Sequence, residues 1–102
     1  MHSYELTQDA DRDIESIVRY TLEEWGEVQA KKYVDKLEQC FENIARHDVI
    51  SRTFSERFPQ VLVTRCEHHF IFYLHPKKKR PRIFAVLHER MDFVARMEGR
   101  LE

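Results

Sequence analysis

Residues 83 to 92 read Ile-Phe-Ala-Val-Leu-His-Glu-Arg-Met-Asp, and the fold follows from this stretch. The five residues from Ile83 to Leu87 are all apolar, which is typical of a strand that is buried on both faces. Charged residues begin at Glu89, so the buried strand is expected to lead directly into an exposed surface. A strand of this kind needs a covering layer on each side, and the rest of the chain has to provide both layers.

Two amphipathic helices are predicted upstream of this strand. Thr7 is a suitable N-cap for the first helix, over about residues 8 to 24, and Gly26 ends it in a left-handed conformation. The second helix begins at Glu27. The apolar stripes are Ala10, Ile14, Ile17 or Val18, Thr21 and Trp25 on the first helix, and Ala30, Tyr33, Leu37, Cys40 or Phe41, and Ile44 on the second. Because the connection is so short, the helices form an antiparallel hairpin that covers one side of a core.

Strand-like segments surround this hairpin in the sequence. The predicted strands span residues 2 to 6, 60 to 66, 68 to 75 and 82 to 88. Residues 47 to 59 are predicted to be a loop, and Glu67 lies in a tight turn or bulge between the second and third strands. The predicted fold is therefore α+β: an N-terminal edge strand, an antiparallel helical hairpin packed on an antiparallel sheet, and a short C-terminal helix.

Alternation divides the side chains of the last two strands between the two faces of the sheet. One face of the strand at residues 68 to 75 is expected to meet the helices, through Phe70, Phe72 and Leu74. The same rule divides the last strand into Ile83, Ala85 and Leu87 against Phe84 and Val86.

The second face of the last strand requires a cover other than the helices. We expect the C-terminal tail to provide it, because Phe93 and Met97 lie one turn apart on a short helix over residues 92 to 98. A partner protein is the alternative cover.

The composition fits a single domain over residues 1 to 102, large enough to bury a core without metals or disulfides. Lysine and arginine number 17 against 18 aspartates and glutamates, so the chain has no broad positive field. Direct high-affinity binding of nucleic acid is therefore not expected, and any contact with nucleic acid must be local.

Cysteines and histidines give no sign of a metal site or a cofactor. Cys40 and Cys66 belong to no closely spaced ligand pair and are interpreted as two buried thiols. Strand parity turns His68 away from His69 and His75, and those two lie roughly 20 Å apart along one strand. The amino terminus has no secretory pattern and no apolar window is long enough to span a membrane, which favours the cytoplasm.

Several segments together resemble the ParE-type toxins of the RelE/ParE superfamily. The helical part of the resemblance is Trp25-Gly26, followed by Gln29-Ala30 and Tyr33. The sheet part is His69 with Ile71-Phe72-Tyr73, then Val86-Leu87-His88 and Arg90-Met91-Asp92. The resemblance implies a toxin with a helical hairpin on an antiparallel sheet, and a small antitoxin from the same operon that wraps it in a hetero-oligomer.

The superfamily suggests two activities. ParE-type members bind DNA gyrase and stabilise its cleaved-DNA intermediate without chemistry of their own, whereas RelE-type members cut messenger RNA on the ribosome. A nuclease needs clustered basic groups and a general acid or base. RelE-like nucleases tend to carry a tyrosine near the carboxyl end, which is missing after His88. The gyrase-directed, non-enzymatic activity is therefore the first hypothesis, and the ribosome-dependent nuclease is the alternative.

Two sets of side chains are the candidate binding residues. The predicted target-binding set is Arg65, His69, Tyr73, His88, Arg90 and Met91, and the predicted antitoxin-binding set is Tyr20, Trp25, Phe54 and Phe58. His88 has a structural alternative, a bond to a backbone carbonyl, and Trp25 could instead plug the end of the hairpin.

The run Lys77-Lys78-Lys79-Arg80 lies between two prolines. It is interpreted as a solvated hairpin tip that discourages edge pairing, with contact to gyrase-bound DNA or to an acidic antitoxin as the functional alternative.

Overall fold

In the computed structural model, residues 3–101 form a helical hairpin packed on one face of a five-stranded sheet. The elements are β1 (Glu5–Leu6), α1 (Gln8–Trp25), α2 (Glu27–Ala45), β2 (Arg52–Ser55), β3 (Phe58–Cys66), β4 (His69–Leu74), β5 (Arg82–His88) and α3 (Phe93–Met97). The strand order is β1-β5-β4-β3-β2. The α+β prediction, with its hairpin and short C-terminal helix, is confirmed.

The sheet differs from the prediction at both edges. β1 pairs with β5 in parallel, which makes the sheet mixed rather than wholly antiparallel. The predicted edge strand began at His2, which lies outside the described residues. At the other edge, β2 lies within the segment that was predicted to be a loop, and pairs with β3. Its first two side chains are exposed and its last two are half-buried, which gives no alternating signal, so pairing with β3, rather than local pattern, makes it a strand.

The helices begin and end as predicted. Thr7 caps α1, because its side-chain oxygen accepts a hydrogen bond from the Ala10 backbone N–H over 3.2 Å. Gly26 adopts a φ of 89°, a conformation that favours glycine, and its N–H donates to the Leu22 carbonyl. The predicted stripes face the sheet with one exception. Trp25 is 71 % exposed, so it does not plug the end of the hairpin.

The two faces of β4 are the reverse of the prediction. Ile71 and Tyr73 pack against the helices, whereas Phe70, Phe72 and Leu74 pack on the opposite face of the sheet. Alternation shows which residues share a face, but both faces of β4 are apolar. The pattern alone therefore could not show which face the helices cover.

A β-bulge in β5 changes its parity. Phe72 pairs with Ala85 and Tyr73 pairs with Ile83, so Phe84 is an extra residue with no direct partner on β4. As a result Ile83 joins Val86 on the helix side, and Phe84 joins Ala85 and Leu87 on the other side. The predicted grouping of Ile83 with Ala85 and Leu87 is wrong, because a bulge interrupts the two-residue period.

The C-terminal tail covers the second face of the sheet, as predicted. The Phe93 ring packs edge-on against Phe70 and Phe72, at centroid distances of 5.3 and 5.2 Å, and Met97 is 2 % exposed. Beyond α3, Arg100 donates to both carboxylate oxygens of Asp13 on α1, at 2.7 and 3.0 Å. The tail is therefore fastened to the helical layer across β5.

Cys40 of α2 and Cys66 of β3 form a disulfide, with Cα atoms 6.4 Å apart. The interpretation as two buried thiols is therefore wrong. α2 lies over β3, and this packing brings together two cysteines that are 26 residues apart in sequence. Spacing along the chain could not reveal that contact.

Candidate functional site

The polar side chains singled out in the sequence gather where β3 turns into β4 and where β5 ends. Cys66 pairs with His69 across a two-residue turn, and His69 pairs with His88. Glu67 has a φ of 57°, which accounts for the tight turn predicted there. We call this region the histidine end of the sheet; it comprises Arg65, His68, His69, His88 and Glu89.

His69 lies at the base of the histidine end and is only 9 % exposed. Its Nδ1 forms a short hydrogen bond with the Tyr33 hydroxyl of α2, and its ring packs edge-on against the His88 ring at 5.2 Å. Burial, together with the nearby His88 and His68, lowers the pKa of His69 to about 4. Burial also raises the pKa of Tyr33 to about 12. Both groups are therefore neutral near pH 7.

His88 is half-buried and held by its own turn. The Arg90 backbone N–H donates to His88 Nδ1 over 3.2 Å. Because Nδ1 accepts this bond, neutral His88 carries its proton on Nε2. The structural alternative for His88 is a bond to a backbone carbonyl, but its Nδ1 accepts from a backbone N–H, which orients the ring beside His69.

Arg65 is committed to interactions within the chain. Its guanidinium forms a 2.6 Å salt bridge with Glu89, donates to the Glu67 carbonyl and lies over the Phe70 ring. It pairs across the sheet with Phe70, so it projects from the face opposite the helices. Glu89 also bonds His68 Nδ1 at 2.9 Å, and this hydrogen bond, with the Arg65 charge, lowers the pKa of Glu89. The structure therefore adds Glu89 and His68, which the sequence had not marked as binding residues.

The remaining target-binding candidates separate into exposed and buried residues. Arg90 is exposed and Met91 is 40 % exposed, immediately beyond the end of β5. Tyr73 is 2 % exposed, within the core beneath the helices. Burial excludes a direct contact between Tyr73 and a target in this conformation, so Tyr73 is not part of the surface.

His75 is also not part of a metal-ligand cluster with His68 and His69. His75, at the far end of β4, stacks on His47 with ring centroids 4.1 Å apart. Within residues 3–101, no three histidine, cysteine or carboxylate side chains are arranged so that they could hold a metal ion.

The antitoxin-binding candidates lie on two separate surfaces. Tyr20 and Trp25 are exposed near the hairpin tip, together with Leu22 and Val28, which the sequence had not marked. Phe54 and Phe58 are half-buried at the opposite side of the sheet. Phe54 lines a groove of about 870 Å³ along with Phe70, Phe72 and Phe93. An exposed apolar patch and an aromatic groove are both features of protein-binding surfaces.

A family model described as "ParE toxin of type II toxin-antitoxin system, parDE" matches residues 4–93. The chain belongs to the ParE toxin family. The matched range includes the hairpin, the whole sheet and the histidine end, and stops at the first residue of α3. The Arg100–Asp13 contact therefore involves a residue beyond the range that the family model matches.

Individual ParE proteins support this assignment. "Toxin ParE" of Escherichia coli is 42 % identical over 103 residues, covering 100 % of this chain and 99 % of that protein. "Toxin ParE1" of Mycobacterium tuberculosis strain H37Rv is 29 % identical over 89 residues, or 87 % of this chain and 91 % of that protein.

The described part of the chain has no helix that is long and apolar enough to cross a membrane.

A solved structure described as "Chromosomal ParDE TA system from P. aeruginosa" has a similar fold. Its TM-score is 0.67 at 19 % sequence identity, covering 86 % of this chain and 98 % of that chain. At this identity the likeness concerns the fold. The ParE fold is thus retained with few of the same side chains.

Proposed function

We propose that this ParE-family toxin acts in the cytoplasm by binding DNA gyrase and stabilising the cleaved-DNA intermediate of that enzyme. The toxin performs no bond-breaking step of its own. The observation that carries the proposal is the state of the histidine end: His69 and Tyr33 are neutral near pH 7 and Arg65 is paired with Glu89, while Arg90 and Met91 beside them are exposed.

The chemistry of the histidine end suits binding better than catalysis. General acid–base catalysis at neutral pH works best with a group whose pKa is close to 7. His69 and Tyr33 have pKa values of about 4 and about 12, and therefore miss that range in opposite directions. Arg65, which could offset phosphate charge, is already paired with Glu89. These groups form a rigid support rather than a reaction centre.

The exposed residues next to this support have the character of interface anchors. Arginine and methionine are enriched in protein–protein interfaces, and a few anchors provide most of the binding energy. Arg90 and Met91 follow directly from β5, and His88 is oriented by the Arg90 backbone. A surface built on a buried strand is presented to a partner with little loss of conformational entropy.

A plasmid assay tests the gyrase proposal. Purified toxin is incubated with gyrase, ATP and supercoiled plasmid, the reaction is stopped with detergent and protease, and linear DNA is quantified. We expect linear DNA to accumulate with toxin concentration. Absence of linear DNA and unchanged supercoiling at large molar excess of toxin would contradict the proposal.

A matched pair of variants locates the surface. Arg90→Ala/Met91→Ala removes an exposed arginine and an exposed apolar side chain after β5, and Val94→Ala/Arg96→Ala removes the same two kinds of side chain from exposed positions of α3. We expect the first variant to need at least about tenfold more toxin for equal linear DNA, since hot-spot truncations cost roughly 2 kcal/mol. Equal potency of the two variants would show that the target contacts another surface.

We also propose that a small cognate antitoxin binds this chain and forms a hetero-oligomer with it. The solved relative from P. aeruginosa is described as a toxin–antitoxin system, and this chain has exposed apolar residues at the hairpin tip and an aromatic groove beside Phe54. Coexpression with the product of the adjacent small reading frame should yield a stable complex. Trp25→Ser changes the hairpin tip and Phe54→Ser changes the aromatic groove. Only the variant that changes the antitoxin-binding surface should fail to form the complex.

Ribosome-dependent cleavage of messenger RNA is the second candidate. It is favoured by one observation, the Tyr33–His69 hydrogen bond, which places a tyrosine beside a histidine. The sequence has no tyrosine after His88, so this pair could not be expected from the chain order. Translating ribosomes with a defined message would show new 5′ ends when toxin is added. Loss of those ends in Tyr33→Phe would establish this activity, and their absence with the unaltered toxin would remove it.

A further inference from the structure

The strongest unexplained charge in the molecule lies in the loop between β4 and β5. Four basic residues, Lys77, Lys78, Lys79 and Arg80, lie in this loop, and a fifth, Arg82, is the first residue of β5. We call residues 75 to 82 the basic loop. The helical hairpin is acidic by contrast, with ten acidic and five basic residues between Gln8 and Ala45. A net charge of −1 therefore conceals a strongly uneven distribution.

The three lysines of the basic loop are exposed and face no carboxylate. Glu5 pairs with Arg80 at 2.8 Å and with Arg82 at 3.5 Å. Among the described residues, no acidic side chain lies within salt-bridge distance of Lys77, Lys78 or Lys79. Their charges are thus available to an external anion.

The basic loop is an ordered turn rather than a flexible tail. The Lys79 N–H donates to the Pro76 carbonyl, and Lys78 has a φ of 61°. Pro81 is fully buried, and its carbonyl accepts from the Glu5 N–H at 2.9 Å. Because both ends are fixed, little further ordering of the backbone is needed when the lysines bind a ligand.

The structure removes one explanation for these charges. Lysines at strand edges prevent sheets from pairing with each other. β4 is an interior strand, and β1 pairs with β5 at Arg82 and Ile83, next to the loop, so the loop protects no edge. The lysines also lie far from the histidine end, since His69–His88 and Leu74–Arg82 are the pairs at opposite ends of the β4–β5 ladder.

The composition of the loop favours nucleic acid over protein as its ligand. Lysine is depleted in protein–protein interfaces, which depend on aromatic and other large anchors. Apart from Pro76, the loop has no exposed apolar side chain. A phosphate backbone, in contrast, needs only closely spaced positive charges, because binding is driven by release of counterions.

We propose that the basic loop binds the phosphate backbone of duplex DNA through Lys77, Lys78 and Lys79. This contact lies outside the surface that we assign to gyrase, and it is local and salt-dependent. A gyrase complex contains duplex DNA, so the loop gives the toxin a second point of attachment there.

The contact is tested first by mapping it. Isotope-labelled full-length toxin is titrated with a 12-base-pair duplex in 50 mM salt, and the backbone amide resonances are followed by NMR. We expect the largest shifts at residues 75 to 82. Shifts confined to other residues, or no shifts at millimolar duplex, would overturn the proposal.

Two matched variants then show whether DNA affinity depends on the position of the lysines or only on the net charge of the protein. Lys77→Gln/Lys79→Gln and Lys31→Gln/Lys32→Gln each remove two exposed lysines, the second pair from α2. Each phosphate contact contributes roughly 0.9 to the slope with which the logarithm of affinity falls against the logarithm of salt concentration. Affinity for a fluorescent duplex should therefore fall roughly 20-fold between 50 and 150 mM salt with three contacts, but roughly threefold with one. The loop variant should show the smaller dependence and the α2 variant the larger. Equal behaviour of the two variants would overturn the proposal.

A single-stranded RNA of equal length is the third arm of the test. Tighter binding of RNA than of duplex DNA would overturn the assignment to duplex DNA. No gyrase is present in these titrations, so the DNA contact and the gyrase proposal can fail independently of each other.

Discussion

His69 combines burial with a titratable ring, and its surroundings determine its charge. Tyr33 bonds Nδ1, His88 packs against the ring, and His68 adds a further charge when it is protonated. The sequence marked His69 as a target-binding candidate, because a histidine on a strand carries no sign of its depth. The Tyr33 side chain of α2 and the His88 ring of β5 pack against it in the fold.

The first prediction concerns His69 and pH. Unfolded His69 has an ordinary pKa near 6.5, whereas the folded value is about 4, so the unfolded chain binds more protons between these values. The free energy of unfolding should therefore decrease as the pH falls from about 7 to 5, by up to about 1.4 kcal/mol per pH unit from this group. Urea unfolding at several pH values measures the slope.

His69→Gln is the control for this prediction. His75 also has a lowered pKa and contributes a slope of the same sign, so the variant should reduce the slope without removing it. Measurement above pH 5 keeps Glu89, whose pKa is lowered, ionised in both states. A slope that does not change in His69→Gln would contradict the pKa assigned to His69.

At the scale of elements, most sequence patterns were sufficient. Thr7 and Gly26 delimit α1 because capping and left-handed conformations depend on a few neighbouring atoms. β2 and the bulge at Phe84 were missed, because both arise from pairing with a neighbouring strand. The Cys40–Cys66 disulfide is of the same kind, since it joins two elements whose contact is not encoded locally.

The second prediction concerns this link between α2 and β3. The disulfide closes a loop over a sequence separation of 26 residues, and loss of such a constraint costs about 3.5 kcal/mol in the chain-entropy model. Reduced protein should therefore unfold at lower urea concentration than oxidised protein. Cys40→Ser/Cys66→Ser should match the reduced protein and should not respond to reductant. A large response of the double variant to reductant would contradict this explanation.

At the scale of the whole molecule, the C-terminal tail closes the fold. The tail provides Phe93 and Met97 to the second core, and Arg100 then reaches Asp13 on α1. The same carboxylate accepts the Val86 N–H, on the side of β5 that the short β1 leaves unpaired. One acidic side chain thus connects the helical layer, the sheet and the tail.

The third prediction tests this connection. Arg100 and Asp13 are 17 % and 13 % exposed, so Arg100→Ala leaves a largely buried carboxylate without its partner. We expect a loss of about 3 kcal/mol in the free energy of unfolding. Arg96→Ala, at an exposed position of α3, should change stability by less than about 0.5 kcal/mol.

A double variant separates charge pairing from packing. Asp13→Asn added to Arg100→Ala should recover part of the loss, because no unpaired charge then remains. Stability of Arg100→Ala equal to that of Arg96→Ala would show that the tail is not held by this ion pair.

The sequence by itself determined the helical hairpin, the doubly buried strand, the apolar tail that covers it and the resemblance to ParE toxins, because these depend on periodicity, caps and short motifs. Tertiary structure alone decided which face of β4 meets the helices, that Cys40 and Cys66 join, that Tyr73 is buried and that Arg65 is paired with Glu89. The physical reason is that burial, charge pairing and strand register are properties of contacts between distant segments. A local pattern limits those contacts without specifying them.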